Sequence, residues 1–349
     1  MQQQLKEREV IKMLKLSKKL LLLYLIIAIA FVAGCSGATD ADNSNQPINE
    51  GQASSNLTGK LIIFHAGSLS VPFDQMEKEF ELLHPGVDVQ REAAGSRECA
   101  KKVTDLGKPA DIVASADYAV IDNLLIPDFA EWNALFAKNE MVIMYSEHSK
   151  YKDEINSDNW PEILLREGVE YGHSDPNADP CGYRALMVWQ LAAEHYQISD
   201  LYQKLDEKRP ARNIRPKETD LLAMVESGAL DYLFIYRSVA EQHNMPYVEL
   251  PPQVNLSDLN QAEFYKQATV DTTGKQPGEV ITQVGMPIVY GVTLIKNAPN
   301  QANAIEFLKF LLSKDKGLKI MEDNGQPIED PLVIKGEEAM PEELREITG

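Results

Sequence analysis

The chain has 349 residues, 44% of them hydrophobic and 25% charged, which is enough for two domains of ordinary globular composition. Its 53 acidic residues against 34 basic ones give a net charge of −19, which excludes nucleic acid as a partner because a phosphate backbone needs a basic surface. Such a charge also repels free anions at long range, so an anion site here has to work through local dipoles and hydrogen bonds.

The chain opens on a targeting pattern. Lys12, Lys15, Lys18 and Lys19 precede an unbroken apolar run from Leu20 to Val32. That run is too short for a comfortable membrane span and fits the apolar core of a signal peptide. It ends in Val32-Ala33-Gly34-Cys35, which resembles the lipobox of bacterial lipoproteins, where cleavage precedes the cysteine and the cysteine takes lipid. The alternative is an uncleaved anchor helix with an incidental cysteine. Either way the body lies at the outer face of the cytoplasmic membrane. Residues 1–35 are therefore expected to be a lipoprotein signal peptide with Cys35 as the lipidated residue. The polar stretch 36–59 cannot bury a core and is expected to be a flexible tether.

The folded part begins with Leu61-Ile62-Ile63-Phe64-His65, an apolar run that predicts a buried strand. A helix follows with Phe73, Met76, Phe80 and Leu83 inward, stopped by His84-Pro85-Gly86. Val87 to Gln90 and Ala110 to Ala114 read as further strands, with a helix between them entered at Gly95-Ser96. Strands alternating with helices imply a parallel sheet of the α/β class. Two of its strand-to-helix junctions carry Gly-Ser, at Gly67-Ser68 and Gly95-Ser96. Ligands of open α/β sheets sit at such carboxyl ends, where glycine admits close approach and serine adds a neutral donor. Serine is also a common helix cap, so either junction alone is consistent with capping only.

A second α/β unit follows the strand Glu140–Tyr145. Its centre is Asp179-Pro180-Cys181-Gly182-Tyr183-Arg184, ahead of an apolar face made by Ala185, Leu186, Val188, Trp189, Leu191, Ala192 and Ala193. Pro180 suits the first helical turn and Asp179 its N-cap. A carboxylate is thus placed where free N–H groups normally await an anion from outside. Beyond it come a helical face at Leu221, Leu222, Met224 and Val225, buried strands at Tyr232–Tyr236 and Ile288–Ile295, and a helix carrying Ala304, Phe307, Leu308, Phe310 and Leu311. The expected shape is two α/β lobes joined by crossings near Met141–Tyr145 and Val289–Ile295, with a ligand cleft between them that closes by hinge motion. The expected boundaries are 60–143 with 292–328 for the first lobe, 144–291 for the second and an acidic tail at 329–349.

Five segments in this order resemble the tungstate/molybdate-binding proteins of ABC importers, the archaeal-type relatives of bacterial molybdate binders. They are Phe64–Leu69, Gly95–Ala100, Asp179–Arg184, Pro216–Glu218 and Asp231–Ser238. The resemblance covers residues 60–330 and implies a two-lobed periplasmic-binding-protein fold of the second topological type. It implies an oxyanion site at Gly67, Ser68, Ser96, Asp179, Pro180, Cys181, Glu218 and Tyr236, with Asp179 and Glu218 as added ligands of the Mo or W atom. Arg97 and Arg184 are left outside it. It implies a monomeric binding protein, not an enzyme, with no cofactor, whose ligand is tungstate or molybdate and whose partners are an ABC permease and its ATPase.

The same residues admit plainer roles: Asp179 as a cap, Glu218 as a solvated helix-start charge, Tyr236 as a core tyrosine. Two other readings stay open. One keeps the fold and binds sulfate or phosphate. The other is an extracytoplasmic enzyme with Cys99 or Cys181 as nucleophile, since both sit near helix N-termini, which lower a thiol pKa. The two cysteines could also form a disulfide.

Overall fold

The structure, a computed structural model, describes residues 57–348. The targeting segment, Cys35 and nearly all of the expected tether lie outside the described residues. Among those described, no helix is long and apolar enough to cross a membrane.

The strands in chain order are β1 (Gly59–Ala66), β2 (Val87–Ala94), β3 (Ile112–Ser115), β4 (Asn133–Lys138), β5 (Met141–Tyr145), β6 (Tyr171–Ser174), β7 (Ile214–Arg215), β8 (Tyr232–Tyr236), β9 (Tyr247–Glu249), β10 (Thr269–Thr273), β11 (Val280–Val284), β12 (Val289–Leu294) and β13 (Ile328–Lys335). They form a six-stranded sheet ordered β13-β4-β12-β3-β1-β2, a five-stranded sheet ordered β7-β6-β8-β5-β9 and the hairpin β10-β11. β1 runs parallel to β2 and β3, and β6 runs parallel to β7 and β8. Each sheet is thus built around a parallel α/β unit, and the two sheets are the two lobes.

Burial follows the hydrophobic pattern. Leu61 and Ile63 of β1 are fully covered, and the helix Ser70–Leu83 turns Phe73, Met76 and Phe80 onto the sheet. Phe80 meets Phe307 of the helix Gln301–Leu311 edge-on at 5.2 Å, a geometry worth about 1 kcal/mol beyond the area it buries. Leu83, expected inward, is 57% exposed. It is the last helical residue, and the His84 N–H closes the turn on Phe80 O.

Three expected boundaries move. Met141–Ile143 pair with β8 and β9 in the second sheet, so the first crossing is the short Asn139–Glu140 link that precedes them. Val289–Gly291 pair with β4 in the first sheet, which puts the second crossing just before β12. The expected tail is structured: Val333, Ile334 and Lys335 pair with β4, and the closing helix Glu342–Thr348 buries Leu344. Its acidic composition hid a half-buried edge strand whose apolar residues are irregularly spaced because the register shifts between Ile328 and Val333.

Each lobe also buries one histidine at the end of a parallel strand. His65 Nδ1 lies 2.8 Å from Ala66 O and His173 Nδ1 lies 2.7 Å from Ser174 O. A carbonyl can only accept, so Nδ1 carries the proton in both. Burial lowers each imidazole to about 4, so below pH 6.5 the unfolded chain takes up protons that the folded chain refuses. Stability from these groups is complete above the unfolded value near 6.5 and is lost as pH falls toward 4. Each should lose about 2 kcal/mol between pH 7 and 5. Urea unfolding of the parent and of His173→Gln at both pH values checks this: the variant should lose less stability on acidification by about that amount, and equal losses would contradict it.

Candidate functional site

The site is assembled from strand ends of both lobes. In the first lobe β1 ends at Ala66, and Gly67-Ser68-Leu69 makes a single 3-10 turn into the following helix. On the neighbouring strand, β2 ends at Ala94 and Gly95 leads straight into the helix Ser96–Thr104. The two Gly-Ser junctions therefore lie side by side. Neither serine hydroxyl caps its helix. Ser68 Oγ accepts from Tyr290 OH at 2.9 Å, and Ser96 Oγ accepts from Ala116 N at 3.0 Å.

At these glycines the second lobe approaches the first-lobe backbone closely. A Cβ on Gly67 would stand 2.8 Å from Glu218 Oε1, and one on Gly95 would stand 2.3 Å from Ala178 O. At Gly95 the contact is with backbone, so only a residue without a side chain lets the lobes meet there, while at Gly67 the missing side chain leaves room for the end of the Glu218 side chain. These approaches bring Asp179 and Glu218 of the second lobe against the paired junctions.

Asp179 does cap its helix: Oδ1 accepts from Cys181 N at 3.1 Å, and Pro180 takes the first helical position. Its other oxygen, Oδ2, accepts from Glu218 N at 3.0 Å. One carboxylate thus fixes the backbone that carries the other. Glu218 is not a solvated charge. It is 1% exposed, and neither of its carboxyl oxygens receives a hydrogen bond from the protein. A buried ionised carboxylate without partners is costly by several kcal/mol. Burial first, and then the charge of Asp179, push the Glu218 carboxyl well above the usual range, and burial also raises Asp179. Two such buried groups titrate as a pair, and desolvation with their mutual repulsion disfavours the state in which both are ionised.

Tyr236 closes the set at the end of β8. Its hydroxyl accepts from Arg184 Nη1 at 2.8 Å. Arg184, left outside the site by the sequence reading, is 2% exposed and also donates to Ala116 O at 2.7 Å. The signal was available: Arg184 shares a helix face with Cys181 and Val188, and an arginine on an apolar stripe demands a buried partner. Other residues that the sequence did not single out are Asp117, which pairs with Arg184, Tyr290, which holds Ser68, and Ser174, whose buried hydroxyl sits beside Asp179. Arg97 is fully buried and donates to Asn177 O of the second lobe at 3.3 Å.

The cysteines take no part in bond chemistry. Both are free and buried, so the disulfide does not form. Cys99 Sγ donates to His65 O at 3.4 Å and Cys181 Sγ to Phe234 O at 3.7 Å. Burial pushes the Cys99 thiol up to about 12 and Cys181 well above its ordinary value. The helix ends do not offset it, and a nucleophilic thiolate is not available.

The bacterial extracellular solute-binding protein family matches residues 61–326. A solute-binding protein of Petrotoga mobilis is 60% identical over 83% of this chain and 90% of its own length. The molybdate/tungstate-binding protein WtpA of Pyrococcus abyssi is 46% identical over 91% of this chain and 95% of its own. Among solved structures, the periplasmic molybdate-binding protein of Azotobacter vinelandii covers 76% of this chain with 98% of its own at a TM-score of 0.55 and 18% identity. The sulfate-binding protein SubI of Mycobacterium tuberculosis covers 78% with 88% of its own at 0.54 and 16% identity. These structural likenesses carry the two-lobed fold alone. The sequence relatives carry more: the chain belongs to the bacterial extracellular solute-binding protein family, in the group of its molybdate/tungstate-binding relatives.

Proposed function

We propose that this protein captures tungstate or molybdate between its two lobes and delivers it to an ABC permease. The observation that carries this reading is the Glu218 carboxylate, buried beside Asp179 with no donor on either oxygen. A carboxylate pair repels a dianion through space. It becomes favourable if the carboxylates bind the central atom instead of the oxygens. Mo(VI) and W(VI) are large, hard and able to accept oxygen ligands beyond their four oxo groups, whereas sulfur and phosphorus do not expand so readily. Asp179 and Glu218 then select for the metal oxyanions and against sulfate and phosphate.

The hydroxyls support the same reading. Ser68, Ser96 and Tyr236 each already accept a hydrogen bond from the protein, from Tyr290, Ala116 and Arg184. Each has its one O–H left to give. Such a set suits a ligand that only accepts, which a fully deprotonated oxyanion does. Gly67 adds room for close approach, while Pro180 and Cys181 set the backbone behind Asp179. The protein does no chemistry on its ligand and needs no cofactor. The Asn139–Glu140 link and the segment before β12 serve as the hinge. Cys35 carries the lipid that holds the protein at the outer face of the cytoplasmic membrane, and the polar stretch after it, ahead of β1, gives it reach.

Two measurements test this reading. In calorimetric titrations the parent should bind tungstate and molybdate and give no heat with sulfate or phosphate. Glu218→Gln should weaken tungstate binding at least about a hundredfold, or about 2.7 kcal/mol, without lowering the melting temperature of the ligand-free protein. Sulfate or phosphate binding by the parent, or parental affinity in the variant, would overturn the assignment. The raised carboxyl pair gives the second. Coordination needs both carboxylates ionised, so binding should expel a proton and tighten as pH rises through the raised carboxyl value. Titration in buffers of different ionisation enthalpy should show proton release, and the release should vanish in Glu218→Gln. Proton uptake, or none, would contradict it.

A further inference from the structure

Arg184 extends from the helix Pro180–His195 of the second lobe, yet most of its partners belong to the first. Nη1 donates to Ala116 O at 2.7 Å and to Tyr236 OH at 2.8 Å. Nη2 pairs with Asp117 Oδ2 at 3.1 Å, and Tyr183 OH donates to the same oxygen at 2.5 Å. The remaining oxygen, Asp117 Oδ1, accepts from Ala119 N at 2.9 Å. The Arg184 and Asp117 side chains are 2% and 5% exposed. Ala116, just past the end of β3, links this cluster to the first-lobe donor, because its N–H is the one that holds Ser96 Oγ.

We propose that Arg184 is a positioning residue that makes the donor set of the oxyanion site depend on lobe closure, with Asp117 as its anchor in the first lobe. This rests on the ligand reading above. With the lobes together, the Asp117 carboxylate and the Ala116 carbonyl fix the guanidinium, and the guanidinium occupies a lone pair of the Tyr236 hydroxyl. The Tyr236 proton is then left to point at the ligand. When the lobes part, Asp117 and Ala116 leave with the first lobe, Arg184 is freed to seek water, and Tyr236 loses the group that orients it. Capture and donor alignment are thereby one event. A desolvated charge pair of this kind acts mainly on dissociation, since association is decided before the pair forms.

The fold supplies a reporter of closure away from the cluster. Glu98 N, in the first turn of its helix, has no intrahelical partner and donates across the lobes to Ala178 O at 3.1 Å. Hydrogen exchange of this amide therefore reads the closed population. In the full chain, Asp117→Asn and Arg184→Gln should each raise the tungstate dissociation rate at least about tenfold, with the association rate within about threefold of the parent. Both should speed exchange at Glu98 with tungstate present. Arg184→Lys should restore Glu98 protection more than slow dissociation, because one ammonium keeps the Asp117 charge contact without the fork that also reaches Ala116 and Tyr236. If Arg184→Gln does not fold, Asp117→Asn and Tyr183→Phe carry the test. Parental dissociation and Glu98 exchange in these variants would overturn the proposal. Should the parent respond to no oxyanion, the ligand reading fails by itself. Glu98 exchange in the ligand-free proteins then decides the latch: faster in Asp117→Asn supports it, and equal rates sink it.

Discussion

Two carboxyl groups are packed against one another at the lobe interface, and the geometry around them follows from that. The Asp179 carboxylate has both oxygens engaged, one by the first turn of its own helix and the other by the Glu218 backbone. Glu218 is delivered into the interface and given no donor. A folded chain keeps such a group only where something else compensates it, because the desolvation cost is several kcal/mol against a total stability of about 5–15 kcal/mol. Burial favours the protonated form of the pair, which lessens the charge in the ligand-free protein. On the function proposed above, a central atom that accepts carboxylate oxygens relieves it in the complex.

The architecture serves this constraint. Parallel β1 and β2 end side by side, so two Gly-Ser junctions can face one point, and their missing side chains let Ala178 and Glu218 approach. In the second lobe β6 and β8 run parallel and end at Ser174 and Tyr236. The ends of four strands from the two lobes therefore meet at the lobe interface, in keeping with where open α/β sheets bind ligands. The hydroxyl oxygens of Ser68, Ser96 and Tyr236 each accept, from Tyr290, Ala116 and Arg184, so their own O–H groups remain to be given. The Asn139 amide donates to both Ser238 Oγ and Tyr290 OH, so the residue at the crossing between the sheets is itself tied to the residue that positions Ser68.

Much of this was legible in the sequence. Asp179-Pro180 announced its cap because an Asp before a Pro at a helix start has few other uses, and Gly67-Ser68 and Gly95-Ser96 stood out as paired junctions. What stayed hidden was set by tertiary contact. Glu218 follows Lys217 and precedes Thr219-Asp220, a polar run with no mark of burial, and only the Asp179 contact explains it. Ser68 and Ser96, each taken alone, are also consistent with capping, because nothing local shows that Tyr290 and the Ala116 amide claim their oxygens. Arg184 is a charge in an apolar stripe, but its partner Asp117 lies 67 positions earlier in the other lobe. The 328–335 strand was missed because composition outweighed a short, bulged apolar pattern.

The measurement that bears most directly on the account is X-ray absorption at the tungsten or molybdenum edge, on the protein loaded with one equivalent of oxyanion. Coordination by the carboxylate pair predicts a shell beyond the four oxo groups, with one oxygen from each of Asp179 and Glu218, as expected for octahedral coordination. That shell should be diminished in Glu218→Gln. An undisturbed tetrahedral oxyanion, identical in the parent and the variant, would contradict the role given to the carboxylate pair and with it the reason for burying Glu218.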